Sequence, residues 1–284
     1  MSQTRLTATA ATALACLAAF AAAAAEPPVT DAATLATLDK VLAGDHRSAE
    51  NRARDKWRHP KETLQFFGFR QDMTVMEVWP GGGGWYLEVL APALREHGRY
   101  IAASWDPNST SDYVKKNSKR LADKLAARPG LYDRVKVTGL QAPDALAPVP
   151  EGSVDMVLTF RNIHSWMGSD TAGAADAMFK AMYAALKPGG ILGVAEHRAK
   201  ADKPQDPNAD SGYVREDYAI AMIEKAGFKL IGKSDVNANP KDTADHPNGV
   251  WSLPPSLQGG DADREKYLAI GESDRFTLRF RKPE

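Results

Sequence analysis

The chain reads as an α/β protein built on a mostly parallel sheet with helices on both faces. Two observations predict this. From Thr74 onward, short apolar runs alternate with segments of helical length and period. The first of these runs, Val75-Met76-Glu77-Val78, breaks through Trp79-Pro80 into Gly81-Gly82-Gly83-Gly84 and resumes at Trp85-Tyr86. Buried strand, tight glycine turn, then helix is how such a sheet opens a ligand site at the carboxyl ends of its strands.

Taken in order, residues 1–25 read as a secretory signal. Arg5 gives a cationic start, an alanine-rich stretch runs from Leu14 to Ala22, and Ala23-Ala24-Ala25 precedes Glu26-Pro27-Pro28. The apolar stretch is too short and too alanine-rich for a membrane span. The only cysteine, Cys16, lies inside this segment, so the mature chain has neither disulfide nor thiolate chemistry. Export to the periplasm, or secretion, is the expected localisation.

Residues 26–67 form an expected N-terminal helical extension. Residues 27–34 read as a loose linker. From Ala36 to Phe67 the pattern is mostly helical, with Leu35, Leu38, Val41 and Leu42 at helical spacing, a charged stretch from Arg47 to Arg58, and a break at Pro60. Residues 68–284 form the main domain. Its predicted strands are 74–79, 100–104, 135–138, 154–159 and 191–196, with helices near 85–96, 110–127 and 171–186. A helix at 215–226 then leads through Gly227 into a run at 228–233. The last run, 275–281, alternates with period two, as a half-exposed strand does. Between these two runs, residues 237–260 are rich in Asn, Pro, Asp and Gly. A connection this long inside a compact domain is usually functional or disordered. Val250-Trp251-Ser252-Leu253 favours an ordered flap over the site.

Composition narrows the function. Lys plus Arg and Asp plus Glu balance at 36 each and are dispersed, which argues against a nucleic-acid surface. The glycine turn is no dinucleotide fingerprint, because the third glycine would fall on Tyr86 or Leu87, and no Gly-Lys-Ser/Thr follows to cradle a triphosphate. A carboxylate at Glu77 would repel phosphate and suits a ligand carrying an ammonium or hydroxyl donors. The turn points to a zwitterionic nucleoside. The six histidines show no His-x-His or His-Glu-x-x-His spacing, so no metal site is expected, and no Gly-x-Ser-x-Gly elbow marks a hydrolase.

The fourth strand runs into Thr159-Phe160-Arg161-Asn162-Ile163-His164-Ser165-Trp166. Arg161, Asn162, His164 and Trp166 offer a cation, an amide, a base and an aromatic wall within six residues, a mixture that suits a pocket better than a core. A loop whose polar groups satisfy the backbone is the competing reading. Glu196-His197 ends the fifth strand on the same side, Arg58-His59-Pro60 can fold over from the N-terminal helices, and Trp85 opens the first helix of the domain, either against a ligand or in the core.

Glu77 with its glycine turn, and Leu186-Lys187-Pro188-Gly189-Gly190-Ile191-Leu192 leading into the fifth strand, resemble the class I S-adenosylmethionine-dependent methyltransferases. The Trp-Pro-Gly-Gly-Gly-Gly-Trp-Tyr variant and the leader are similar to exported methyltransferase-like proteins. The resemblance covers about residues 60–284. It implies a Rossmann-like seven-stranded sheet closed by an antiparallel C-terminal hairpin, 228–233 with 276–281. It also implies S-adenosyl-L-methionine as cofactor, held by Glu77, Gly81, Gly82, Gly83, Trp85, Asp106 and Phe160, and a small-molecule acceptor facing His164, Asn162 and Arg161. Such an enzyme mainly aligns its reactants and excludes water, with His164 as the base where the acceptor carries a proton, since histidine changes charge near neutral pH. Two positions depart from the family. Its first glycine is Trp79 here, and the acid at the end of the second strand falls on Ser104, with Asp106 two residues on. These departures leave a second reading, an exported non-catalytic binder of a nucleoside or other small ligand on the same fold.

Overall fold

The computed structural model describes residues 26–284, so the predicted signal segment lies outside the described residues. Seven strands form one sheet: β1 (Thr74–Val78), β2 (Arg99–Ser104), β3 (Lys136–Gly139), β4 (Val154–Phe160), β5 (Leu186–His197), β6 (Lys229–Ser234) and β7 (Arg275–Arg281). Their order is β3-β2-β1-β4-β5-β7-β6. The first five pair in parallel, and β7 runs antiparallel to both β5 and β6. The Rossmann-like sheet with an antiparallel terminal pair is therefore as the sequence predicts.

The helices are α1 (Ala32–Leu42), α2 (Ala49–Ala53), α3 (Asp55–Arg58), α4 (Pro60–Phe67), α5 (Leu87–Leu94), α6 (Asp112–Ala127), α7 (Pro129–Tyr132), α8 (Ile163–Met167), α9 (Ala174–Ala185), α10 (Glu216–Lys225) and α11 (Arg264–Ile270). Alternation along β1 explains how they are divided between the faces. Val75 points to a core shared with Leu38 of α1, Phe67 of α4 and Leu90 of α5. Met76 and Val78 point to the opposite core, with Trp166 of α8, Phe179 of α9 and Ile223 of α10. Strands buried on both faces carry apolar residues at successive positions, which is why the runs look continuous.

The linker expected at 27–34 is shorter than predicted. Asp31 accepts a hydrogen bond from Thr34 N at 2.7 Å and starts α1 at Ala32. An Asp three residues before a threonine amide is a helix N-cap, a local signal that apolar spacing alone does not register. Pro60 breaks the helical run as expected, and it does so as the first residue of α4, after His59 at φ 37°. None of the helices among the described residues is long and apolar enough to cross a membrane.

Candidate functional site

The five parallel strands end on one edge, and a cleft of about 580 Å³ opens there. At the end of β1 the chain continues its ladder, with Trp79 N donating to Ala103 O at 2.8 Å, and then turns. Trp79 takes φ 48° and Gly81 φ 73°. Positive φ is ordinary for glycine and uncommon for tryptophan. The Trp79 indole donates to Leu140 O at 2.7 Å and packs against Trp105 and Trp166, with ring centroids 5.7 and 5.9 Å away. Trp79, Pro80 and Gly81 line the cleft. A Cβ on Gly81 or Gly83 would meet nothing within 4 Å, so the turn is open on that side. Gly82 faces away, where a Cβ would lie 2.7 Å from Asn117 Oδ1 on α6.

Glu77 does not reach the cleft. It is buried behind the turn, and Tyr100 donates its hydroxyl to Glu77 Oε2 at 2.5 Å. Burial pushes its carboxyl up to about 7, against the Tyr100 hydrogen bond and the Arg161 charge, which pull it down. Trp85 is buried as well. Its indole donates to Asn51 O at 3.1 Å and carries the guanidinium of Arg58 4.7 Å from its ring centroid, so it fixes the N-terminal helices to the domain. Asp106 closes a turn, accepting from Asn108 N at 2.9 Å, and faces a second cavity between α6 and β2–β3. Trp105, Tyr113 and Gln141 line the cleft at that end instead.

The segment after β4 enters the cleft with Phe160, Arg161, Asn162, His164 and Ser165. Phe160 stacks on Tyr86 at 3.6 Å between centroids. Arg161 sits at φ 63°, its amide donating to Ala195 O at 2.7 Å. Asn162 ties two strands together, donating from Nδ2 to Val78 O at 2.9 Å and to Thr159 Oγ1 at 3.1 Å, so its Oδ1 is the end available to a ligand. Trp166 is buried in the α8–α9 core and packs edge-on against Trp79.

The end of β5 completes the site. Glu196 is fully buried. Its Oε2 accepts from Ile163 N at 2.6 Å, and its Oε1 accepts from His197 N at 2.9 Å and faces His164 Nδ1 at 3.1 Å. Donation to a carboxylate places the His164 proton on Nδ1 and leaves Nε2 as the acceptor. His197 shares a hydrogen bond with Ser273 Oγ at 2.5 Å. Burial holds it well below the usual imidazole range, reinforced by the charges of His164, Arg275, Arg161 and Arg58. The predicted flap supplies Val250, Trp251, Pro254, Pro255 and Ser256 to the lining, with Trp251 edge-on to His164 at 6.0 Å.

The fold also brings together groups that spacing in the sequence does not signal. One ring nitrogen from each of His164 and His197 and a Glu196 oxygen lie within 4.8 Å of one another, a donor set able to hold a metal ion. Glu196 already accepts two backbone amides, and three guanidiniums raise the positive potential at His197. Those conditions suit proton handling better than a dication. Glu272 and Ser273, just before β7, have no part in any of the predicted sequence patterns, and Arg275 enters only as the first residue of the predicted strand. A run of polar residues immediately before a buried strand, Glu272-Ser273-Asp274-Arg275, is the signal that marks them.

No family model matches the chain, and no curated protein matches it in sequence. Solved structures do match. A SAM-dependent methyltransferase from Aquifex aeolicus is 16% identical over 87% of this chain and 98% of its own, with a TM-score of 0.54. The (4+2)-cyclase SpnF is 20% identical over 91% and 99%, with a TM-score of 0.55. The architecture is the class I methyltransferase fold, and the cyclase illustrates that this fold alone does not fix the reaction.

Proposed function

We propose that this protein binds S-adenosylmethionine in the cleft and transfers a methyl group to a small-molecule acceptor, outside the cytoplasm as the leader implies. The observation that carries the reading is the His164–Glu196 pair at the ligand edge of a methyltransferase sheet, opposite an open glycine turn. The donor set fits the cofactor. Gly81 leaves room for close approach to the backbone, and Trp105 and Tyr113 offer aromatic walls to a nucleoside. When bound, the cofactor supplies an electrophilic methyl group on a sulfonium. The chain's own residues do the rest. Trp251 and Pro254 shield the cleft from water, and Asn162 orients an acceptor. His164 Nε2 takes the acceptor's proton, while Glu196 holds the ring and stabilises the imidazolium that forms.

Trp79 favours the second reading, a non-catalytic binder. Its indole, bonded to Leu140 O, occupies space that a glycine would leave open beside β1. Calorimetry with S-adenosylhomocysteine separates the two. Binding by the unaltered protein supports the methyltransferase reading. Absence of binding that appears only in Trp79→Gly supports a binder of another ligand.

A further inference from the structure

Beside the His164–Glu196 pair, four arginines crowd around one carboxylate. Glu272 accepts from Arg54 Nε at 2.5 Å and from Arg58 Nε at 3.0 Å, and it also pairs with Arg275. The three guanidiniums outweigh the effect of burial and hold Glu272 well below the usual carboxylate range. The fourth, Arg161, lines the cleft and makes no side-chain hydrogen bond or ion pair among the described residues. Arg58 and Arg275 are 3% exposed, yet Arg58 Nη2 and Arg275 Nε have no partner. Together with Phe160, Tyr86 and Asn237 these three arginines surround a narrow space that adjoins the cleft. The other acids nearby are committed elsewhere, Glu196 to two backbone amides and His164, and Glu77 to Tyr100.

Arg161 is half-buried at the cleft and keeps its charge, because burial and the neighbouring Arg275 lower it only to about 10. Unpaired buried charge and unpaired buried N–H groups are costly, and native structures rarely leave them without a counterpart. The counterpart has to be an anion, and the fork geometry of a guanidinium matches two oxygens on one group. We infer that Arg161 and Arg275, backed by Arg58, form a subsite for an anionic oxygen group, a carboxylate, on the molecule held in the cleft. The inference rests on the cleft being a ligand site and not on methyl transfer. The carboxylate belongs either to the acceptor or to the cofactor's amino-acid tail.

The test uses the full chain with sodium acetate as probe at constant ionic strength, read by tryptophan fluorescence and thermal unfolding. Arg161→Gln removes the charge at a position with no internal partner to strand, and Arg161→Lys keeps the charge without the fork. Saturable acetate stabilisation, weakened tenfold or more in Arg161→Gln and partly retained in Arg161→Lys, is the expected result. Identical acetate and S-adenosylhomocysteine binding in the unaltered protein and Arg161→Gln would overturn the subsite. Two ligands then identify the source. Loss of S-adenosylhomocysteine affinity in Arg161→Gln, with 5′-methylthioadenosine unaffected, assigns the subsite to the cofactor's carboxylate. Loss of acetate binding alone assigns it to the acceptor's. An unaltered protein that binds acetate but not S-adenosylhomocysteine supports the subsite while removing the methyltransferase reading.

Discussion

Glu196 Oε1 lies 3.1 Å from His164 Nδ1, joining the end of β5 to the short helix that follows β4. The same carboxylate is fixed by the amides of Ile163 and His197, so the imidazole is oriented by a group that cannot itself swing away.

Nitrogen NMR should therefore show His164 as the Nδ1–H tautomer in the neutral protein. Glu196→Gln should release that preference and destabilise the fold by about 1–3 kcal/mol, since one of the bonds to a buried acceptor is lost. His164→Gln should lower turnover by about 10²–10⁴-fold with little change in S-adenosylhomocysteine affinity. Dialysis against a chelator should leave both forms unchanged.

Glu77 sets a pH dependence of stability. Its carboxyl titrates near 4.5 when unfolded and at about 7 when folded. Between those values the native state holds the proton that the unfolded state has released. Stability therefore falls as pH rises from about 4.5 to 7 and levels off above that. Glu77→Gln can still accept from Tyr100, so it should flatten this slope and gain on the order of 3 kcal/mol at pH 8, at about 1.4 kcal/mol per pH unit. Urea unfolding of both forms from pH 5 to 8 measures the difference.

The glycine turn should respond unevenly to alanine. Gly83→Ala meets no atom within 4 Å, so it should fold normally and change only ligand affinity. Gly82→Ala places its Cβ 2.7 Å from Asn117 Oδ1 and 2.9 Å from Asn117 O, and should cost about 1–3 kcal/mol by pushing α6 away. Thermal unfolding and calorimetry on the two variants separate packing from binding.

The flap is pinned at Gly249. This residue has φ 55°, and a Cβ there would lie 2.1 Å from Ser211 O. Gly249→Ala should loosen residues 249–256 without unfolding the sheet. Hydrogen exchange should show those amides faster in the variant, and slower in the unaltered protein when S-adenosylhomocysteine is present. Equal exchange in all samples would make the segment a plain surface loop.

Strands β1, β2, β4 and β5 were legible in the sequence because both faces of the sheet are buried there, which writes them as apolar runs, whereas the edge strands β3 and β6 are largely exposed or half-buried. Most boundaries shifted by one to three residues, β5 began at Leu186 instead of 191, and α1 began earlier than predicted because its cap is a hydrogen bond accepted by one aspartate side chain. The segment from Phe160 to Ser165 was legible because a core does not accept that mixture of groups, and it does line the cleft. What sequence could not supply was the direction of each side chain. Glu77 and Arg161 both flank strand ends, but alternation along β1 turns Glu77 toward Tyr100, whereas the positive φ at Arg161 turns it into the cleft. Arg58 and Glu272 are separated by 214 positions, and no local pattern connects them.

The placement of β7 between β5 and β6 has a consequence for how the protein is made. It leaves the ribosome after the other six strands of this sheet, and it arrives with Ser273 and Arg275, just after Glu272. A nascent chain stopped before residue 275 would present bare hydrogen-bonding edges on β5 and β6, and one stopped before residue 272 would also leave Arg58 without its carboxylate. Ligand competence thus waits for β7, and a chain cut short of it should be a target for proteolysis rather than a weakened version of the whole.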